Sequence, residues 1–315
     1  MATVSRALSG SSKVRSDTRE RIVELARLHA FEPNSAARSL TSKSSGLVGV
    51  LIDDIANPFF VQVVKGIEAE LAGSGLSLIV ASSGWDAERE FELARGFVRN
   101  RVDGVIVAPT SGDSPALDLI RKKGLPLVLV NFRGGPGDCW VCGDNRAGGR
   151  LAAEHLLARG FDRLLCLVGH PHQTASDRLD GFRAAVGDSG RSDVALAVEE
   201  GIRDFQEGHS AGAALVVRHR LDKGRTGVFA FNDSVASGFL KAMIELGIAV
   251  PGNVGLVGFD DIALTDMLIR PLTTIFQPKE EMGRAAASIL LRISGTGGRE
   301  PEGKSLAPRL VQRST

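Results

Sequence analysis

The sequence contains no tyrosine, only three cysteines and no apolar run of the ~18 to 20 residues that would span a bilayer. An odd number of cysteines in a chain of 315 residues does not indicate a disulfide framework, so Cys139, Cys142 and Cys166 are expected to be reduced thiols. Residues 1–17 lack the apolar core and small-residue cleavage pattern of a secretory signal. These absences argue against membrane and exported proteins and favour a globular cytoplasmic one.

Motifs for cofactors and metals are lacking as well. Residues 298–305 match the phosphate-loop pattern G-x-x-x-x-G-K-[ST], but that loop needs a strand before it and a helix after it, and the sequence here reads the other way round. Cys139 and Cys142 form a lone C-x-x-C without a second pair or a histidine at zinc spacing. We therefore expect no cofactor, no metal and no enzyme activity.

Positive charge is concentrated at the N-terminal end. The whole chain has a net charge of +1, yet residues 1–45 hold eight lysines and arginines against four acidic residues. The remainder of the chain is therefore slightly acidic. A basic end on a nearly neutral protein indicates where nucleic acid would dock.

The N-terminal residues predict two short helices and a linker. Val4, Ala7 and Leu8 lie at helical spacing and form an apolar stripe that ends before a glycine. A second helix is predicted from residue 16 or 17 to about residue 30. The next segment has helix-forming residues but no apolar face, so residues 32–45 are a candidate hinge.

Beyond residue 45 the pattern becomes that of an α/β protein. Short β-rich apolar runs, most of them separated by helical stretches, are typical of parallel sheets covered on both faces. Seven such runs exceed one compact sheet and predict two α/β lobes. They are LVGVLI, LSLIV, VDGVIVAP, LPLVLV, RLLCLVG, TGVFAF and VGLVGF.

Eleven segments in collinear order, covering nearly the whole chain, resemble the LacI/GalR family of bacterial repressors. They are ATVSRALSG, TRERI, FEPNSAARSL, GVLIDDIANPFF, RVDGVIVAP, GDNRAGG, AAEHLLARG, DRLDGF, AFNDSVASG, VPGNVGLVGFDD and PLTTIFQP. The resemblance implies a helix-turn-helix at residues 1–31, the hinge, and a periplasmic-binding-protein-like core at 46–315. It further implies a first lobe of about 46–156 and 279–304 and a second of 157–278 and 305–315.

One departure from the family concerns the reading head. ATVSRALSG resembles the recognition helix, and the first helix and turn that precede it in the family have no counterpart in this sequence. We interpret this as a start site assigned too far downstream or as a truncation. Val4 and Leu8 would then lack the helix they normally pack against, and we expect weaker operator binding than from a version extended upstream.

The resemblance assigns DNA contacts to five residues. It implies base contact for Ala2 and Arg6, phosphate contact for Thr3 and Ser5, and a minor-groove wedge for Leu40. An arginine can donate two hydrogen bonds to guanine, and hydroxyls fix the register on phosphate. The alternatives are a plain surface helix and a leucine that packs a linker.

The effector contacts are predicted at loops that follow strands. Phe59 and Phe60 form an aromatic doublet after Asn-Pro, at the edge where α/β folds bind ligands, although core packing is the commoner role of such pairs. The resemblance adds polar residues that could instead be helix caps. These are Asp144, Arg178, Asn232 and Asp260, with His172 and Thr174 as weaker candidates and Phe205 off the family spacing.

The sequence thus predicts a DNA-binding regulator, a homodimer on a palindromic operator, controlled by a small polar effector bound between its lobes. The dimer surface is expected on the first-lobe helices near 58–73 and 86–100, and no heptad tail for a tetramer is seen. The effector could be a sugar, a sugar phosphate or a nucleoside. The rival classes are a solute-binding protein with little or no DNA binding, and an enzyme using Asp144, Asp260 and Asp261.

Overall fold

The computed structural model describes residues 2–8, 13–29, 44–169, 171–296 and 300–315. Two helices lie at the N-terminal end, and the rest forms two α/β lobes. The helices are α1 (Ala2–Leu8), α2 (Ser16–Leu28), α3 (Pro58–Leu71), α4 (Ala87–Arg99), α5 (Pro115–Lys122), α6 (Asn145–Ala158), α7 (Gln173–Asp188), α8 (Phe205–His219), α9 (Asp233–Glu245), α10 (Leu264–Met267) and α11 (Lys279–Thr296).

Two six-stranded sheets form the centres of the lobes. The first has the order β11-β5-β4-β3-β1-β2 and the second β12-β10-β9-β8-β6-β7. The strands are β1 (Leu47–Ile52), β2 (Ser77–Ser82), β3 (Gly104–Val107), β4 (Leu127–Val130), β5 (Cys139–Gly143), β6 (Arg163–Leu167), β7 (Ala195–Glu199), β8 (Thr226–Ala230), β9 (Val254–Asp260), β10 (Thr273–Phe276), β11 (Gly303–Leu306) and β12 (Arg309–Val311).

The two sheets share one topology. In each lobe the first strand lies between the second and the third, and the following strands continue outward in chain order. All pairings are parallel except that of β12 with β10. The expected two-lobed α/β architecture is therefore confirmed.

Local sequence explains why these elements form. Strands such as β3, β8 and β9 are buried along their whole length, as continuous apolar runs in a sheet covered on both faces should be. Helix starts are fixed by short polar side chains whose oxygen accepts a backbone N–H of the first turn. These caps are Asn57, Asp86, Ser114, Asp144, Asp204 and Asn232.

The chain crosses between the lobes three times, after β5, after β10 and after β11. Helix α6 packs against α7 and the strands of the second sheet, so the first crossing lies near residue 144. We had expected it near 156, because the family pattern does not mark which sheet covers a helix. Helix α11 packs on α3 and the first sheet, as expected for a segment beginning at 279.

Close glycine contacts join the helices that flank each sheet. A Cβ added at Gly149 of α6 would lie 1.9 Å from the carbonyl oxygen of Arg178, and one added at Gly181 of α7 would lie 1.9 Å from that of Arg146. Gly66 of α3 and Gly283 of α11 approach each other's helices in the same way. These helices pack backbone to backbone, which fixes their positions on the sheets.

Among the described helices, none is long and apolar enough to cross a bilayer.

Candidate effector cleft and DNA-reading helix

A cavity of about 320 Å³ opens where the carboxyl ends of the strands of both lobes face each other. Its walls come from loops that directly follow β1, β2, β4, β8 and β9, and from helices α3 and α7. Ligands of open α/β sheets bind at this edge. The lining residues are Asp53, Asn57, Phe59, Phe60, Trp85, Asn131, Thr174, Arg178, Phe231, Asn232 and Asp260.

Aromatic rings form part of the cavity wall. Phe59 and Phe60 begin helix α3, where Asn57 caps the backbone N–H of Phe59, and their rings meet edge to face at 5.0 Å. Both are almost fully buried, so they combine core packing with cavity lining. Trp85 and Phe231 complete the apolar wall. Such surfaces suit the apolar faces of a sugar ring or a planar base.

Arg178 is the main charged group of the second-lobe wall and is held from four directions. Its Nε donates to Asn145 Oδ1 at 2.8 Å, its Nη1 donates to the Phe231 carbonyl, and its Nη2 lies 3.8 Å from Asp260 Oδ1. The guanidinium also stacks 3.7 Å above the ring of Phe259. Burial lowers the pKa of Arg178, and the neighbouring carboxylates act in the opposite direction.

Asp260 is the last residue of β9 and begins a turn with positive φ angles, a backbone conformation that usually requires glycine. Asp260 and Asp261 have φ values of 112° and 55°. The Lys279 ammonium holds this turn by donating to both their carbonyls, at 3.0 Å for Asp261, and Gln277 Nε2 donates to Asp260 Oδ1 at 2.8 Å. Burial raises the pKa of Asp260, while Arg178 and Lys279 lower it. The carboxylate is thus fixed beside Arg178 before any ligand arrives.

A second, adjoining cavity of about 270 Å³ is lined by His172 and Thr174. His172 Nε2 lies 3.0 Å from the Pro109 carbonyl of the first lobe, and Nδ1 lies 3.0 Å from Thr174 Oγ1. Because a carbonyl only accepts, the neutral ring must carry its proton on Nε2 and accept from the Thr174 hydroxyl at Nδ1. His172 therefore connects the two lobes.

A further contact beside His172 joins the lobes. Arg133, in the loop after β4, pairs with Asp177 of α7 at 3.1 Å. Gln173 accepts from the Arg133 backbone N–H at 2.6 Å and donates to its carbonyl at 3.0 Å. This side of the cleft is closed by direct hydrogen bonds between the lobes.

The His172 contact gives a pH-dependent contribution to stability. Burial lowers the pKa of His172, with Arg178 adding to the effect, so below the unfolded-state pKa of about 6.5 the unfolded chain binds the proton first. The free energy of unfolding should therefore lose a contribution as pH falls from 7.5 to 5.5. In denaturant titrations at both pH values, His172→Gln should show a smaller loss than the wild type.

The matched control for this experiment is His29→Gln, at an exposed position on the surface after α2. Buried carboxyls whose pKa is raised, such as Asp53 and Asp233, contribute with the opposite sign. For that reason the contribution of His172 is read from the difference between the variants. If the free energy of unfolding depended equally on pH in the wild type and in His172→Gln, the contribution assigned to His172 would be contradicted.

The predicted effector residues line the two adjoining cavities, except Asp144 and the weaker candidate Phe205. The structure places Asp144 at the start of α6 as an exposed cap, whose Oδ1 accepts from the Ala147 N–H at 2.9 Å, away from both cavities. Its neighbour Asn145 is the residue that reaches the site, through Arg178. Phe205 begins α8 and lines neither cavity. The ligand contacts themselves stay a prediction.

Besides Ala175 of α7, six lining residues were not predicted from sequence. Each of the six follows a strand. That position is the one signal in the sequence that points to the ligand-binding edge, but too many residues share it for it to identify these six. In the structure Trp85 and Asn131 are also distinguished by their left-handed backbone conformation, with φ values of 65° and 54°. The six are Asp53, Asn57, Trp85, Asn131, Arg203 and Phe231.

The N-terminal helices present part of the predicted DNA-reading surface. Thr3 and Arg6 of α1 are exposed, and Ala7 is buried. Val4 is 42% exposed. Ala2 and Ser5 lie on the same helix, and Leu40 with most of the hinge lies outside the described residues.

Sequence comparisons identify the class of protein. The family model described as "Periplasmic binding protein-like domain" matches residues 153–315. The family model described as "Bacterial regulatory proteins, lacI family" matches residues 1–34. The chain is 31% identical over 295 residues to the ribose operon repressor of Halalkalibacterium halodurans, covering 93% of this chain and 86% of the relative. It is 29% identical over 318 residues to the repressor PurR of Vibrio cholerae, covering 99% and 93%. The chain belongs to the LacI family of bacterial regulatory proteins.

Solved structures agree with this placement. The lac repressor dimer bound to operator and the anti-inducer ONPF has a TM-score of 0.85 at 25% identity, covering 100% of this chain and 94% of that one. A LacI family regulator from Enterococcus faecium with bound ribose has a TM-score of 0.73 at 31% identity, covering 85% and 98%. The protein is a DNA-binding transcription regulator with a periplasmic-binding-protein-like core.

Proposed function

We propose that this protein is a repressor that binds a palindromic operator as a homodimer and responds to a sugar or sugar derivative bound between its lobes. The observation that carries the proposal is the cleft itself. Aromatic rings from the first lobe face Arg178, Asn232 and Asp260 of the second, a combination that suits a small polar ring. The ribose operon repressor and the ribose-bound regulator among its relatives support a sugar.

The reading head is proposed to comprise residues 1–31, followed by a hinge at 32–45 and the effector core at 46–315. Arg6 of α1 would read a base, with Thr3 and Ser5 on phosphate, and Leu40 would enter the minor groove. Effector binding changes the angle between the lobes and hence the spacing of two heads. The coupling is a free energy that acts in both directions, so the operator changes effector affinity by the same factor.

The dimer surface is proposed on the first lobe, at helices α3 and α4. Val61 of α3 and Ile55 before it are 55% and 61% exposed, and an interface on this face would cover both apolar side chains. The similarity to a repressor crystallised as a dimer on its operator supports this arrangement. Across a two-fold axis the same patch would meet itself.

A purine or nucleoside is the second candidate effector. The similarity to PurR proteins and the rings of Phe59, Phe60 and Trp85 favour it, because a planar base could stack there. The two candidates make different predictions in one ligand screen.

The proposal predicts coupled binding of DNA and ligand. On an operator obtained by in vitro selection, fluorescence anisotropy should show an affinity that a sugar ligand changes by about 5- to 150-fold. Arg6→Ala should weaken specific binding by about 5- to 150-fold, since one arginine–guanine contact contributes about 1 to 3 kcal/mol. The ligand-induced shift in melting temperature should stay the same.

The control is Arg27→Ala, which removes an equally exposed positive charge from the end of α2. It should lower specific and non-specific DNA binding alike and leave their ratio unchanged. A ligand that stabilises the protein without altering operator affinity would refute the coupling, and stabilisation by purines alone would replace the sugar with the second candidate.

A further inference from the structure

Asp53 places a second buried carboxyl group in the cleft, opposite Asp260. It follows β1 directly, is 2% exposed and lines the larger cavity. Its Oδ1 accepts the backbone N–H of Asp54 at 2.6 Å, and its own carbonyl accepts from Gly84 N at 2.7 Å and Ser82 Oγ at 3.2 Å. The carboxyl is therefore held in place, and the contacts that hold it carry no positive charge.

The positively charged side chains that line the two cavities already have partners within the protein. Among the described residues that line the larger cavity, Arg178 is the only cation, and it is bound by Asn145, Asp260 and the Phe231 carbonyl. Arg203 of the adjoining cavity is paired with Glu207, whose carboxylate lies 2.8 and 3.0 Å from Arg203 Nε. A phosphate entering the cleft would meet carboxyl groups and cations that carboxylates or carbonyls already hold.

The first-lobe wall of the cleft also holds a buried acceptor that lacks a hydrogen bond. Asn131, which lines the same cavity as Asp53, has a buried Oδ1 without a hydrogen-bond partner in the described part of the chain. With the Asp53 carboxyl this gives two first-lobe acceptors that a ligand can satisfy only with O–H or N–H groups. Hydroxyl groups supply such donors, whereas a phosphate dianion brings only further acceptors.

Helix N-termini at the cleft favour the binding of an anion, but their effect is weaker than that of the carboxyl groups. Helices α3 and α9 begin at the cavity and are capped by the side-chain oxygens of Asn57 and Asn232, and α7 begins beside it. The positive end of a helix is equivalent to about half an elementary charge. Burial, with Asp54 and Asp260 nearby, raises the pKa of Asp53. A phosphate anion beside it would have to raise that pKa further or meet a carboxylate whose repulsion burial strengthens.

We propose that the cleft selects neutral, hydroxyl-rich ligands over their phosphorylated forms, and that Asp53 is the residue that determines this selectivity. The inference rests on the proposed function, because it takes the cleft to be the effector site. It separates two ligand classes that the sequence left open, free sugars and sugar phosphates. Juxtaposed like charges at a binding surface suppress the wrong partner strongly enough for discrimination of about a hundredfold.

The test uses matched pairs of compounds on the full chain: ribose and ribose 5-phosphate, glucose and glucose 6-phosphate, adenosine and its 5′-monophosphate. Calorimetry at pH 7.5 should give, for the pair that binds, a Kd at least about a hundredfold lower for the unphosphorylated member. Asp53→Asn keeps the size of the side chain and removes its acidic group, and should reduce that ratio at least tenfold. Thermal melting checks that the variant folds.

The control is Asp54→Asn, which removes a neighbouring carboxylate that does not line the cavity and should leave the ratio unchanged. Equal or tighter binding of a phosphorylated member by the wild type would overturn the inference and leave the proposed sugar response intact. If only the adenosine pair bound, the proposed response to a sugar would be refuted. The ratio of Kd values for adenosine and its 5′-monophosphate would still test the inference. Binding of none of the compounds would contradict both.

Discussion

Replacing Arg178 by alanine should lower the free energy of unfolding by about 3 to 5 kcal/mol, the usual cost of breaking a buried ion pair from one side. The variant leaves the buried Asp260 carboxylate without its guanidinium and deprives Asn145 and the Phe231 carbonyl of their donor. It also removes the stacking over Phe259. Urea titration measures the loss, and the ligand-induced shift in melting temperature should disappear with it.

Two comparisons make this prediction specific. Arg150→Ala removes an arginine of α6 that pairs with Asp188 and Glu154 at the surface, and should cost far less, because solvent screens exposed ion pairs. Combining Arg178→Met with Asp260→Asn should recover part of the stability, because no uncompensated charge remains buried. A loss below about 1 kcal/mol for Arg178→Ala would show that the pair contributes little.

Introducing alanine at Gly149 or Gly181 should destabilise the second lobe by about 3 kcal/mol or more. Each new Cβ would lie 1.9 Å from a backbone carbonyl oxygen of the facing helix, so α6 and α7 must move apart, and overpacking of this kind is costly. The same movement displaces Arg178, whose own carbonyl oxygen is the atom facing Gly149, and effector affinity should fall as well. Chemical denaturation and calorimetry measure the two effects.

The same substitution at Gly187 provides the control within α7. A Cβ at that position meets nothing within 4 Å, and alanine is preferred to glycine in helices by about 1 kcal/mol. Gly187→Ala should therefore leave stability unchanged or raise it slightly. If all three variants were equally stable, the close packing of α6 on α7 would not be a determinant of this fold.

Most of the strands found from sequence are buried along nearly their whole length, although β2 is not. Their continuous apolar runs, such as LVGVLI of β1, stand out against any background. Missed were β5, β7, β10, β11 and β12, which are short or partly polar and form by pairing with neighbouring strands. Strand β11 (GKSL), for example, is exposed for three of its four residues. Tertiary contacts, which a local pattern does not contain, determine such strands.

The site shows the same division. Asp144 and Asn232 follow buried strands in the same local pattern, and both cap a helix. Only Asn232 also lines the cleft, because β8 ends at the edge that faces the first lobe near Arg178. Spacing along the chain predicts a cap equally well at both positions and therefore does not select between them.

By itself the sequence determined the family, the α/β class, most of the helices and strands, and the polar and aromatic residues able to bind a ligand, since these follow from apolar periodicity and short motifs. Tertiary structure alone decided which lobe carries α6 and that Asp53, Asn131 and Arg178 meet across one cavity. The reason is physical: three crossings of the chain and the order of strands in two sheets bring distant residues together. No local pattern records such contacts.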